Sequence, residues 1–131
     1  MEHAGLKPTD LAWAAGIVDG EGCVYIRGQS SPALAVENTS YPMLRRLHEL
    51  LGGRIRPRPR KDRDKNLTCW EWYSYAGRPC LRILRALRPY LVVKGAQADA
   101  VLEYQTYPPH SQARRASLEK LAALKRIDYG E

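Results

Sequence analysis

The stretch "LAWAAGIVDGEGCVYI", residues 11–26, contains the change of periodicity on which the fold turns. Its first half is small and apolar, with Leu11, Ala12, Ala15, Gly16 and Val18 recurring at helical spacing. A helix is expected over about 10–20, with Thr9 as its N-cap. The second half alternates. "CVYIRG" and "ALAVEN", separated by the turn-like "QSSP" that begins at Gln29, read as a β-hairpin. Val24, Ile26, Leu34 and Val36 share one face; Tyr25, Arg27, Ala35 and Glu37 share the other. Between the halves stand Asp19 and Glu21, on either side of Gly20. The C-terminal end of a helix is a poor place for acids, because the dipole there is already negative and the last carbonyls lack partners.

Outward from this stretch the pattern of helix and hairpin recurs. Pro42 opens a helix, "PMLRRLHELL", that Gly52 and Gly53 stop. "RIRPRPR" and "LTCWEWYSY" form a second hairpin across the charged turn "KDRDKN". A third helix is expected over about 79–88, a fourth over about 95–106 before Pro108 and Pro109, and a last one in "SLEKLAALKR". The order α-β-β-α-β-β-α, with further helices behind it, predicts an α+β fold: one antiparallel sheet with its helices on one face. A chain of 131 residues with no linker or low-complexity tract suits a single domain, 1–131.

Composition restricts the partner. Lys and Arg number 21 against 14 Asp and Glu, a formal charge of +7, and the isoelectric point near 9.5 points to a polyanion, with nucleic acid favoured. No apolar run approaches the roughly 20 residues of a membrane span, and "MEHAGLKPTD" is no signal peptide, so a cytoplasmic protein is expected. Three cysteines without CxxC spacing argue against disulfides and a zinc knuckle. The strongest charge signal is the alternation of Arg54, Arg56, Arg58 and Arg60 with Ile55, Pro57 and Pro59. In a strand this puts four guanidiniums on one face, roughly 6.5–7 Å apart, suited to phosphates and guanines. A charged edge strand protected from aggregation would look the same. The opposite strand favours the DNA-facing reading: Glu71, Tyr73 and Tyr75 share the outward parity, and Trp70 and Trp72 turn to the helices. Beside such a sheet, one carboxylate with one main-chain carbonyl, completed by water and phosphate oxygens, suits Mg²⁺ and phosphodiester hydrolysis. Taken without that context, an acidic helix end before a glycine turn is the commoner outcome.

"AAGIVDGEG", residues 14–22, resembles the signature of the LAGLIDADG homing endonuclease family, with Ala14 for the first leucine and Glu21 for the last aspartate. "LAVENTSYPMLRRLHELLGG" is similar to the family's second strand and helix, and "GRPCLRILRALRPYLVVKGAQADAVLEY" to its later segment; together they cover about residues 10–105. The resemblance implies an αββαββα core with a saddle-like antiparallel sheet, to which this chain adds a C-terminal helix. It implies metal binding by Glu21 and the Gly20 carbonyl, with catalytic roles for Glu21, for Asn38 as a water-ordering group and for Lys94 near the scissile phosphate. Asp19 corresponds to a structural acid. The cofactor implied is Mg²⁺, with Mn²⁺ able to replace it. Double-stranded DNA is the implied partner, met through Tyr25, Arg27, Gln29, Ala35, Glu37, Arg54, Arg56, Arg58, Arg60, Glu71, Tyr73 and Tyr75. The motif occurs once, whereas single-chain relatives carry it twice, so a homodimer is expected, packed through Ala12, Ala15, Gly16 and Asp19. The alternative is a non-catalytic relative, a splicing maturase or DNA-binding regulator; only the maturase adds RNA as a partner.

Overall fold

The computed structural model describes residues 5–59, 68–75 and 77–126. Arg60 and the turn "KDRDKN" lie outside the described residues. The chain runs α1 (Pro8–Glu21), β1 (Gly22–Arg27), β2 (Ser31–Asn38), α2 (Tyr41–Leu51), β3 (Arg54–Arg58) and β4 (Cys69–Ser74). Then come α3 (Gly77–Leu87), a 3-10 turn (Arg88–Tyr90), α4 (Gly95–Tyr104) and α5 (Gln112–Lys125). The four strands form one antiparallel sheet in the order β1-β2-β4-β3. The fold is α+β, as the periodicity predicts.

Three of the boundaries that differ from the sequence expectation have a local cause. α1 starts at Pro8 with Lys7 as its N-cap, not after a Thr9 cap; proline suits a first turn because its fixed φ is helical and its missing N–H had no partner there. The first hairpin is tighter than "QSSP" suggests. Gly28 and Gln29 take positive φ, and the Ser30 N–H donates to the Arg27 carbonyl at 3.1 Å, so β2 already begins at Ser31. α5 starts at Gln112, five residues early, because the Ser111 hydroxyl caps it by accepting from the Arg114 N–H at 3.1 Å.

The register assigns the two sheet faces. Val24 pairs with Leu34, Val36 with Trp72 and Ile55 with Trp72, placing these side chains together beneath the helices. Val24, Leu34, Val36 and Trp72 are fully buried there with Val18 of α1, Leu44 and Leu47 of α2, Leu84 of α3 and Val101 of α4. Each such aliphatic side chain contributes roughly 1.5–3 kcal/mol by leaving water. The Trp72 indole N–H donates to the Gly52 carbonyl at 2.8 Å, tying the end of α2 to the sheet. Among the described residues no helix is long and apolar enough to cross a membrane.

Candidate active site and nucleic-acid interface

The two acids that end α1 have different surroundings. Asp19 turns toward the segment before α4: its carboxylate accepts from the backbone N–H of Val92 at 2.8 Å, of Val93 at 3.1 Å and of Lys94 at 2.9 Å. The Lys94 ammonium donates to the Asp19 carbonyl at 2.6 Å. Helix end and acid are thus both satisfied, the carboxylate by three amides and the C-terminal carbonyl by a cation. Asp19 is structural, holding the 92–94 segment to the motif helix.

Glu21 is exposed. Its Oε1 accepts from Asn38 Nδ2 at 3.0 Å, while Asn38 Oδ1 accepts from the Ser40 N–H at 2.8 Å. The second bond fixes which end of the Asn38 amide faces Glu21, and so orients the carboxylate. With the Gly20 carbonyl one residue away in the last turn of α1, the donors are hard oxygens and fit a divalent ion. Among the described residues no three His, Cys, Asp or Glu side chains cluster to hold a metal. An ion there would depend on Glu21, Gly20, water and phosphate, the style of binding Mg²⁺ favours.

The sheet's outer face carries the polar set. Cys23 pairs with Ala35, Ala35 with Tyr73 and Tyr73 with Arg54, so one row crosses all four strands; Glu37, Glu71 and Arg56 form another. Glu71 is only 4% exposed although it points outward, because Arg56 covers it. Arg56 meets its carboxylate at 2.6 Å, donates to the Tyr75 hydroxyl at 3.2 Å and lies over the Tyr73 ring. The Glu71 hydrogen bond pushes the Arg56 guanidinium further up from its already high range. Tyr25 donates to Tyr75, and burial with that contact raises its hydroxyl above the ordinary tyrosine value. Arg27 stacks on Tyr75, and Arg58 meets Glu37 at 3.6 Å. A concavity of about 740 Å³ opens on this face, lined by Glu21, Tyr25, Glu37, Arg56 and Glu71 among others.

The structure brings Glu21 together with outer-face residues of all four strands, and Asn38, at the end of β2 with the helix-facing parity of Val36, reaches Glu21 by its side-chain amide. Gln29 lies at the hairpin tip, where its carbonyl accepts from the Tyr104 hydroxyl. Of the α1 residues expected at a dimer interface, Ala12 and Gly16 are exposed, Asp19 is bound as described, and Ala15 is fully buried in the chain's own core. Two residues of the concavity were not singled out from sequence, Cys23 and Lys125. Strand parity was enough to find Cys23, two residues before Tyr25. No local signal places Lys125, which arrives there through the packing of α5 on α4.

The fold, a four-stranded antiparallel sheet with its helices on one face, is that of solved homing endonucleases, the fold the "AAGIVDGEG" resemblance implies. The homing endonuclease I-CvuI, in complex with its target Sro1.3 in the presence of 2 mM Ca, matches with a TM-score of 0.70 at 24% identity, over 92% of this chain and 85% of that one. The same enzyme with the I-CreI target C1221 in 2 mM Mg, its DNA not cleaved, matches with a TM-score of 0.68 at 24% identity, over 94% and 86%. The archaeal intron-encoded homing endonuclease I-Vdi141I, complexed with DNA, matches with a TM-score of 0.62 at 15% identity, over 94% and 87%. No protein-family model matches the sequence, and no curated protein does.

Proposed function

We propose that this chain is a homodimeric homing endonuclease of the LAGLIDADG type, which binds a pseudo-palindromic duplex across its outer sheet and hydrolyses both strands with a divalent ion. The observation that carries the reading is the position of Glu21. An exposed carboxylate, oriented by Asn38 at 3.0 Å, lines a concavity together with arginine and tyrosine on the sheet's outer face.

Each residue then has a task set by its chemistry. Arg54 and Arg58 on the edge strand meet the duplex, with their guanidiniums suited to phosphates and to the paired acceptors of guanine. Arg56 is held by Glu71 and Tyr75, so it presents one edge and holds the tyrosines in place. Tyr25, Tyr73 and Tyr75 offer hydroxyls and ring faces to base edges. Glu21 and the Gly20 carbonyl hold Mg²⁺ or Mn²⁺, which supplies charge stabilisation at the phosphodiester and acidifies water for attack. Asn38 keeps Glu21 in place and hydrogen-bonds water near it. A two-fold axis through the α1 helices brings a second Glu21 to the opposite strand.

The test is incubation of the purified protein with a randomised duplex library and Mg²⁺, with sequencing of the cut ends, beside Glu21→Gln. The wild type is expected to cut a narrow set of pseudo-palindromic sites, and Glu21→Gln to bind those sites without cutting them. Absence of any cut by the wild type, or cutting by Glu21→Gln at the wild-type rate, overturns the proposal.

A further inference from the structure

α5 is the element to which neither the motif nor the sheet assigns a task. Its buried stripe on α4 runs through Ser117 and Leu121 to the half-buried Leu124, and Lys125 stands beside that stripe, exposed. β1 is an edge strand, and the end of α5 brings the Lys125 side chain round that edge to the outer face. Its ammonium lies 5.7 Å from the centre of the Tyr25 ring, in the same concavity as Glu21 and Cys23.

The other cations near Glu21 have acceptors. Lys94 donates to the Asp19 carbonyl at 2.6 Å, Arg56 meets Glu71 at 2.6 Å and Arg58 meets Glu37 at 3.6 Å. Lys125 makes no ion pair among the described residues, although its surroundings are partly dry enough to lower the ammonium's pKa, with Lys94 adding to the shift and Cys23 opposing it. Lys125 is exposed, and an anion entering the concavity would supply the counter-charge that the other cations already have.

We propose that Lys125 is a substrate-contacting residue whose ammonium takes a backbone phosphodiester of the duplex beside Glu21. This rests on the proposed DNA-cleaving function and adds α5 to the DNA-binding surface. Tyr25 guides the lysine stem, and the ammonium reaches past it as a point charge suited to phosphate.

The experiment is a binding scan without divalent ion, so that no cutting intervenes. A duplex selected from a random pool is made with a single neutral methylphosphonate at each successive position around its centre. Its affinity is measured for the wild type, for Lys125→Met, which keeps the stem on Tyr25, and for Lys125→Arg. The wild type is expected to lose roughly tenfold or more at the position Lys125 contacts in each half-site, as well as at those the sheet arginines contact. Lys125→Met should show no further loss at that position, a normal loss elsewhere, and a salt dependence flatter by about one unit of slope per chain. Lys125→Arg should keep the wild-type pattern. An unchanged scan for Lys125→Met overturns this inference and leaves the DNA-binding proposal standing; a wild type that binds no duplex overturns both.

Discussion

At the scale of single residues, Asp19 and Glu21 show how two like side chains two positions apart take different work. Asp19 is held by three amides of the 92–94 segment and has no oxygen turned to the sheet's outer face; Glu21 is held by one amide and keeps an oxygen for solvent. The cysteines offer a direct reading of that outer face. Cys23 is exposed in the concavity, Cys69 is buried, and burial pushes the Cys80 thiol up to about 11, leaving it little thiolate at neutral pH. Maleimide at pH 7 is therefore expected to label Cys23 first and Cys80 hardly at all, as read by mass spectrometry. A saturating duplex should slow labelling at Cys23; a rate unaffected by bound duplex would place the DNA elsewhere. The face of Cys23 was legible because a period of two leaves no freedom once Val24 is buried. The burial of Glu71 was not, since it comes from Arg56 lying across the carboxylate, a contact between two strands that no local pattern encodes.

At the scale of elements, the junction of α2 with β3 fixes the edge strand that carries the arginines. Gly52 and Gly53 have φ of 84° and 80°, in the left-handed region that side chains disfavour. A Cβ on Gly53 would lie 2.8 Å from the Trp72 indole nitrogen and 2.8 Å from the Tyr73 carbonyl. Gly53→Ala is accordingly expected to destabilise the fold by about 1 kcal/mol or more, from backbone strain together with displacement of Trp72. Chemical denaturation measures it, and a midpoint equal to the wild type would show that this turn tolerates a side chain. The glycine pair was visible in the sequence as a helix stop; its second role, making room for Trp72, required the tertiary contact. Helix starts were the least legible feature. Pro8 and Ser111 each carry a start signal, but "LAWAAGIVDGE" and "SLEKLAALKR" have stronger apolar periodicity further along, and that drew the expected boundaries inward.

At the scale of the whole molecule, the outer face of one chain presents one Glu21, whereas cutting a duplex requires chemistry on both strands. The proposed homodimer would use a surface that α1 leaves open. Ala12, Gly16 and Gly20 are exposed on it, Trp13 is 38% exposed, and Asp19 draws up Val92 and Val93, which are 85% and 54% exposed. Small residues let helix backbones approach, and the adjacent apolar side chains gain by leaving water. Gly16 separates this interface from the stability of the single chain. A Cβ built there meets nothing within 4 Å, so Gly16→Leu fits the isolated fold, and leucine favours the helix over glycine by up to about 1 kcal/mol. Across the two-fold axis of the proposed dimer the same leucine would meet its own counterpart and hold the α1 helices apart. Sedimentation at matched concentrations is expected to give a dimer for the wild type and a monomer for Gly16→Leu. Thermal unfolding of the dilute Gly16→Leu monomer should be no easier than that of the dilute wild type. A wild type that stays monomeric, or a Gly16→Leu protein that remains dimeric, would remove α1 from the interface and with it the expectation of one Glu21 for each strand.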